Sequence, residues 1–221
     1  MNSLKFYEST GPYKKDNPLR TRCTQIILKS SQSLLISPIK FTEPQMDEIK
    51  KNPVLALIAP NCFHHLHVSW ASESLKVSNL LYAEGLQQKR ADVKWTTVLS
   101  EATWPYKDEV KLICVGGTKK LNESVFYHIE SKTLITTDLF FHFQNLKPKF
   151  KNLLFKIMGT FNKPAVSRLI TLFANDKNLL KTDIKRILEL DFENLVMAHG
   201  KVINGNAKEI FIAALKERGL F

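Results

Sequence analysis

The sequence predicts a layered α/β domain, and three observations carry that prediction. Short apolar runs bounded by turn residues recur through the first two-thirds of the chain. Stretches with helical periodicity lie between them and dominate the second half, and a last buried strand followed by an amphipathic helix closes the chain. With 221 residues, 44% of them hydrophobic and 24% charged, the composition is that of a folded protein able to bury a sizeable core.

The elements follow in order. Residues 1–22, with Gly11-Pro12 and Asn17-Pro18, read as an extended N-terminal arm, and residues 23–221 as a single domain. Residues 24–28 and 33–36 are apolar runs joined by a Ser/Gln turn, the pattern of a hairpin. Thr42-Glu43-Pro44 followed by Met46 and Ile49 predicts an N-capped helix with proline in its first turn. Residues 54–59 form a continuous apolar run, expected of a strand buried on both faces, and Pro60-Asn61 stops it. A helix is predicted over 64–75, a short strand over 79–83 and a short helix over 84–90. Residues 110–115, 124–129 and 133–137 read as three strands, the last two joined by the turn Glu130-Ser131-Lys132. Helices then predominate. Phe150, Leu153, Leu154 and Ile157 share one face, Val166, Leu169, Ile170 and Phe173 another, and residues 179–190 make a third helix. A buried strand over 194–198 and a helix over 207–218 end the chain.

Composition also excludes some classes. There is no run of eighteen or more apolar residues to span a membrane, and the polar N-terminus lacks the apolar core of a signal peptide, so a soluble cytoplasmic protein is expected. Cys23, Cys62 and Cys114 are odd in number and widely spaced, which argues against a disulfide framework or a CxxC zinc knuckle. The net charge is +11, and between Lys147 and Arg186 ten basic residues face only Asp176 and Asp183. A basic helical segment over 147–190 is therefore expected, either merely solvated or turned toward something anionic.

Three places put metal-type ligands directly after a buried strand: His64, His65 and His67 after the strand at 54–59, Asp138 after 133–137, and His199 after 194–198. Strand ends suit a site because the sheet fixes the backbone there while the loops stay open. Imidazole with carboxylate suits zinc, iron or manganese. On a helix His64 and His67 would share a face and His65 would point elsewhere. His128 alternates with apolar neighbours in a strand and reads as structural, and His142 sits in an aromatic-rich run expected in the core. Cys62 lacks an evident partner acid for a thiol nucleophile, and Gly116-Gly117-Thr118-Lys119 lacks the spacing of a phosphate loop.

Several motifs occur in an order that resembles the metallo-β-lactamase superfamily: the early hairpin, Ser37-Pro38-Ile39, the buried strand with its histidine cluster, the strand pair closing on Thr137-Asp138, and Ala198-His199-Gly200. More narrowly, three stretches are similar to its DUF4336 branch, over about Arg22 to Lys208: Ile58-Ala59-Pro60-Asn61-x-Phe63-His64-His65-Leu66, Gly85-Leu86-x-x-Lys89-Arg90, and residues 123–139. The resemblance implies an αββα sandwich of two mixed β-sheets flanked by helices, with metals at one edge. It matches Asp138 to the metal-bridging aspartate and His199 to the last histidine ligand. The HxHxDH signature is absent. Aligned on Pro60, its two leading histidines become Asn61 and Phe63, its aspartate His65 and its final histidine Leu66. The loop after residues 110–115 carries Gly116-Gly117 and then Glu123 in place of the usual histidine.

The expected centre holds one or two ions of zinc, iron or manganese through Asp138, His199 and one or two of His64, His65 and His67, with Asp138 and His199 central to catalysis by metal-activated water. The expected substrate is a small or anionic ester, amide or phosphodiester. Two rivals stand beside it: an inactive module of the same fold that uses the basic helices to hold nucleic acid, an acidic protein or a membrane surface, and an iron-dependent oxidoreductase. Nucleic acid is the less favoured partner, because Phe150, Phe155, Phe161 and Phe173 lie at a helical spacing typical of core residues rather than of a base-stacking surface.

Overall fold

The structure, a computed structural model, describes residues 3–9, 20–144 and 153–221. The chain divides into two compact units, Met1–Ser100 and Glu101–Phe221.

The first unit is built on a six-stranded mixed sheet in the order β1 (Leu4–Glu8), β2 (Arg22–Ile27), β3 (Ser33–Ile36), β4 (Val54–Ala59), β5 (Leu80–Tyr82), β6 (Thr97–Val98). The first three strands pair antiparallel, and β3 through β6 run parallel. Parallel neighbours need crossovers, which α1 (Glu43–Lys50), α2 (Val68–Leu75) and α3 (Leu86–Lys89) supply in turn. At the start of α1 the Gln45 side chain accepts from Thr42 N at 2.9 Å, half of a capping box, and Pro44 sits in the first turn. Ile49 of α1, Val68 and Ala71 of α2, and Leu35 and Leu57 of the sheet close one apolar core. Gln25, fully buried in β2, is satisfied by Tyr7 Oη, Ser33 Oγ and the carbonyl of Ile49.

The second unit carries a four-stranded mixed sheet, β12 (Asn194–Val196), β9 (Thr133–Ile135), β8 (Ser124–His128), β7 (Val110–Cys114), and a two-stranded ribbon of β10 (Phe140–His142) with β11 (Pro164–Val166). β12 lies parallel to β9, and the other pairings are antiparallel. Its helices are α4 (Leu153–Ile157), α5 (Arg168–Phe173), α6 (Lys177–Leu188) and α7 (Ala207–Glu217). Leu134, Leu195, Phe140, Ile184 and Phe211 belong to one core. The Gly116-Gly117 turn is clamped to α6. Asp183 accepts from Gly116 N at 2.8 Å, and a Cβ at Gly117, where φ is +75°, would fall 2.1 Å from the Asp176 carbonyl oxygen. Asp183 is held in turn by Arg186, which also pairs with Glu101.

The structure differs from the sequence reading at several places, among them Val166, expected on a helical face with Leu169, Ile170 and Phe173 and found in β11. Residues 64–67 are turn, and α2 begins at Val68, because the Asn61 side chain captures the N–H groups of Phe63 and His64, both at 2.8 Å. The helical argument that pairs His64 with His67 therefore does not hold. The aromatic run at 140–143 supplies a strand, β10, whose lack of alternation concealed it. Leu4–Glu8, in the segment read as an arm, is an edge strand. Leu153, Leu154 and Ile157, expected as the apolar face of a helix, point to solvent, while Phe155 and Met158 take the inward positions; Phe150 and the basic residues at 147–151 lie outside the described residues. Cys23, Cys62 and Cys114 are free thiols.

Candidate metal centre

Asp138 and His199 are brought together by strand register. β9 and β12 pair in parallel with Leu134 opposite Leu195 and Ile135 opposite Val196. Thr136 N donates to Val196 O at 2.8 Å, which carries the pairing past the strand ends. Counting three residues on from Ile135 gives Asp138, and three on from Val196 gives His199. Neighbouring strands stand about 4.8 Å apart, so two residues at the same register step emerge side by side. His199 Nε2 lies 3.8 Å from Asp138 Oδ1, and both side chains keep some exposure.

Each member of the pair is braced from behind. Glu123, just before β8 and 1% exposed, accepts from Thr137 N at 2.6 Å, Thr137 Oγ1 at 2.7 Å and Asp138 N at 3.2 Å. A buried carboxylate is tolerable only when so supplied with donors, and here they fix the backbone that presents Asp138. The Phe141 ring of β10 stacks on the His199 imidazole with centroids 5.9 Å apart and planes within 9°. Gly200 follows at φ +98°, its backbone pressed on β10: Lys201 N donates to His142 O at 2.8 Å, and a Cβ on Gly200 would meet that oxygen at 2.2 Å. Only glycine fits there.

The first unit orders its histidines separately. His64 is buried, with Nδ1 2.7 Å from Ser37 Oγ. Ser37 follows β3 in the left-handed region, φ 58°, with its N–H on Ile58 O at 2.9 Å. A non-glycine residue held there costs of order 1 kcal/mol or more, a strain met most often at functional sites. His65 Nδ1 lies 3.0 Å from Arg90, which is paired with Asp92. Burial, then the charges of Lys89 and Arg90, pushes the His65 pKa down to about 4, so this imidazole is neutral at neutral pH. His67 is exposed, and its carbonyl accepts from Ala71 N at the start of α2.

The remaining candidates have structural partners. His128 is buried with Nδ1 2.7 Å from Ser131 Oγ, and His142 Nδ1 donates to Lys201 O at 2.9 Å. The Cys62 thiol donates to the Glu84 carbonyl, and burial raises its pKa, the opposite of what a nucleophile needs.

Asp138 and His199 fit a metal. Ligand bonds to zinc run about 2.0–2.2 Å, so two donor atoms 3.8 Å apart can both reach one ion. The order and pairing of strands and helices are shared with solved structures. The DIM-1 metallo-β-lactamase matches with a TM-score of 0.65 and 12% identity over 100% of this chain and 93% of that one. The fold is the metallo-β-lactamase fold. A metallo-β-lactamase from Pontibacter korlensis matches with a TM-score of 0.62 and 17% identity over 98% of this chain and 96% of that one. The metal-soaked Flv1 flavodiiron core from Synechocystis sp. PCC6803 gives a TM-score of 0.62 and 11% identity over 98% of this chain and 59% of that one. No protein-family model matches the sequence, and no curated protein matches it. Glu123 and Phe141 are the residues beside Asp138 and His199 that the sequence left without a role. The signals for Glu123 were its place immediately before an apolar strand and in the loop where the resemblance implies a histidine.

Proposed function

We propose that the protein is a metal-dependent hydrolase acting on an anionic ester, amide or phosphodiester, with a divalent ion held by Asp138 and His199 together with His64. The observation that carries the reading is the in-register pair Asp138 and His199 at 3.8 Å, braced by a buried carboxylate and a stacked ring. When bound, the ion supplies Lewis acidity and a water made nucleophilic near neutral pH. Asp138 contributes the negative charge of the ligand set. His199 contributes an imidazole whose plane Phe141 holds. For His64, the hydroxyl of Ser37 at Nδ1 directs Nε2 to the ligating role, the arrangement by which metal-bound histidines are oriented. Among the three histidines of the first unit His64 is preferred, because Arg90 occupies His65 Nδ1 and its charge opposes a cation there. The anionic substrate class rests on the net charge of +11. Kinship with the DUF4336 branch rests on the motifs at 58–66, 85–90 and 123–139, and a cytoplasmic location on the free cysteines.

The test is elemental analysis of untagged protein purified without chelator, alongside hydrolysis of a generic phosphodiester and an ester. Near-stoichiometric zinc, manganese or iron, lost in Asp138→Ala with turnover, is the expected result. Metal well below stoichiometry and unchanged by that substitution overturns the reading. Iron with no hydrolysis would move the protein to redox chemistry.

A further inference from the structure

Of the large apolar side chains most exposed among the described residues, five fall in one stretch of the second unit: Leu153 (45%), Leu154 (52%), Ile157 (60%), Leu172 (74%) and Leu179 (45%). The first three lie on one helix, α4. On α4, residues 153, 154 and 157 are three and four apart and so share a face, opposite the inward Phe155 and Met158. The end of α4 meets the start of α5 directly, since Arg168 donates its N–H to Met158 O at 2.9 Å and Nη1 to Ile157 O at 3.2 Å. Leu172 lies one turn along α5 from Arg168. A folded protein rarely leaves such a row in water without use.

Among residues 153–186 seven basic side chains stand against two acids. Lys156 lies over the Phe161 ring and Lys120 over Phe173, Arg168 sits within the row, and Lys177, Lys181 and Lys185 form an exposed stripe along α6. The acids of residues 153–186 are both engaged: the Asp176 side chain takes the first N–H groups of α6, and buried Asp183 holds Gly116 N and Arg186. Glu217 is committed to Lys163 at 2.5 Å.

From this combination we infer that the α4–α5 edge is a peripheral docking surface for an anionic lipid bilayer. Aliphatic side chains gain by entering the acyl boundary, and the surrounding ammonium and guanidinium groups gain from anionic headgroups. A nucleic acid would leave the aliphatic row in water and would want aromatic faces, whereas Phe155 is 3% exposed. A second copy would press two surfaces of the same charge together. Attachment is interfacial, because among the described residues no helix is long and apolar enough to cross a membrane.

The test is co-sedimentation of the full-length protein with vesicles of phosphatidylcholine alone and of phosphatidylcholine with phosphatidylserine, at low and physiological salt. Binding is expected only to the phosphatidylserine vesicles and should weaken as salt rises. Ile157→Glu and Leu172→Glu should each lower partitioning by about tenfold or more, and Lys177→Ala or Lys181→Ala by about fivefold each. All four positions are exposed, and unchanged melting curves would show that the variants fold. Absence of vesicle binding, equal binding to neutral vesicles, or binding unmoved by Ile157→Glu and Leu172→Glu overturns the inference. So does tight duplex or single-stranded DNA binding, or concentration-dependent dimerisation, that Ile157→Glu abolishes while vesicles are ignored.

Discussion

Replacing Glu123 by Gln keeps volume and shape and removes one capability, that of accepting through both oxygens. In the native arrangement Oε1 takes Thr137 N, while Oε2 takes both Thr137 Oγ1 and Asp138 N. The Thr137 hydroxyl can rotate and accept from an amide NH2. The two backbone N–H groups cannot, so in either amide orientation one of them faces another donor. Leaving a buried donor unsatisfied costs about 1–3 kcal/mol, and charge assistance is lost on the bonds that survive. The sum is about 2–4 kcal/mol, which for a chain of this length lowers the melting temperature by about 5–15 °C. Because the freed N–H belongs to Asp138 or its neighbour, metal affinity should also fall by about ten- to a hundredfold, as for other groups that orient ligands. Differential scanning fluorimetry and competition titration with a zinc chromophore measure the two effects. A Glu123→Gln protein that melts within about 2 °C of wild type and binds zinc equally well would refute the assignment of Glu123 as the brace of Asp138.

Gly200→Ala should destabilise by more than about 2 kcal/mol, since its Cβ would sit 2.2 Å from the His142 oxygen at a φ of +98°; denaturant unfolding checks this, and a midpoint unchanged from wild type contradicts it. Ser37→Ala removes the partner of His64 Nδ1 and should weaken metal binding by about tenfold while costing only about 1 kcal/mol of stability; equal affinity would exclude His64 as an oriented ligand. Burial holds the His128 pKa below its usual value, so below about pH 6.5 the unfolded chain takes up the proton more readily than the folded one. The contribution of His128 is therefore complete above that pH and is lost as pH falls toward its folded pKa. Melting curves of wild type and His128→Asn across pH 5–8 should converge at the acid end, and a constant difference would contradict the neutral buried assignment.

Much of this was legible in the residues. The runs at 54–59, 124–128 and 133–135 announce strands because their apolar side chains are continuous or nearly so, and they do become β4, β8 and β9. The pair Asp138 and His199 was visible as polar residues directly after two such strands. Their adjacency was not, because register between strands sixty residues apart in sequence is a tertiary fact. Residues 64–67 were misread as the start of a helix since their apolar spacing continues into α2, while the deciding interaction is a side-chain oxygen of Asn61. Glu123 and Phe141 act through space on residues fifteen and fifty-eight positions away, so neither contact is readable from the local sequence. The outward turn of Leu153, Leu154 and Ile157 was likewise hidden, since periodicity identifies a shared face without saying which way it points.

The proposed function depends on a divalent ion held by Asp138 and His199. Zinc titration of the chelator-stripped protein by isothermal calorimetry, with Asp138→Asn and His199→Gln beside wild type, decides whether they hold one. One tight site in the wild-type protein that is abolished or weakened by about a hundredfold or more in both variants is the predicted result. Heats in all three proteins that are indistinguishable from one another would contradict it.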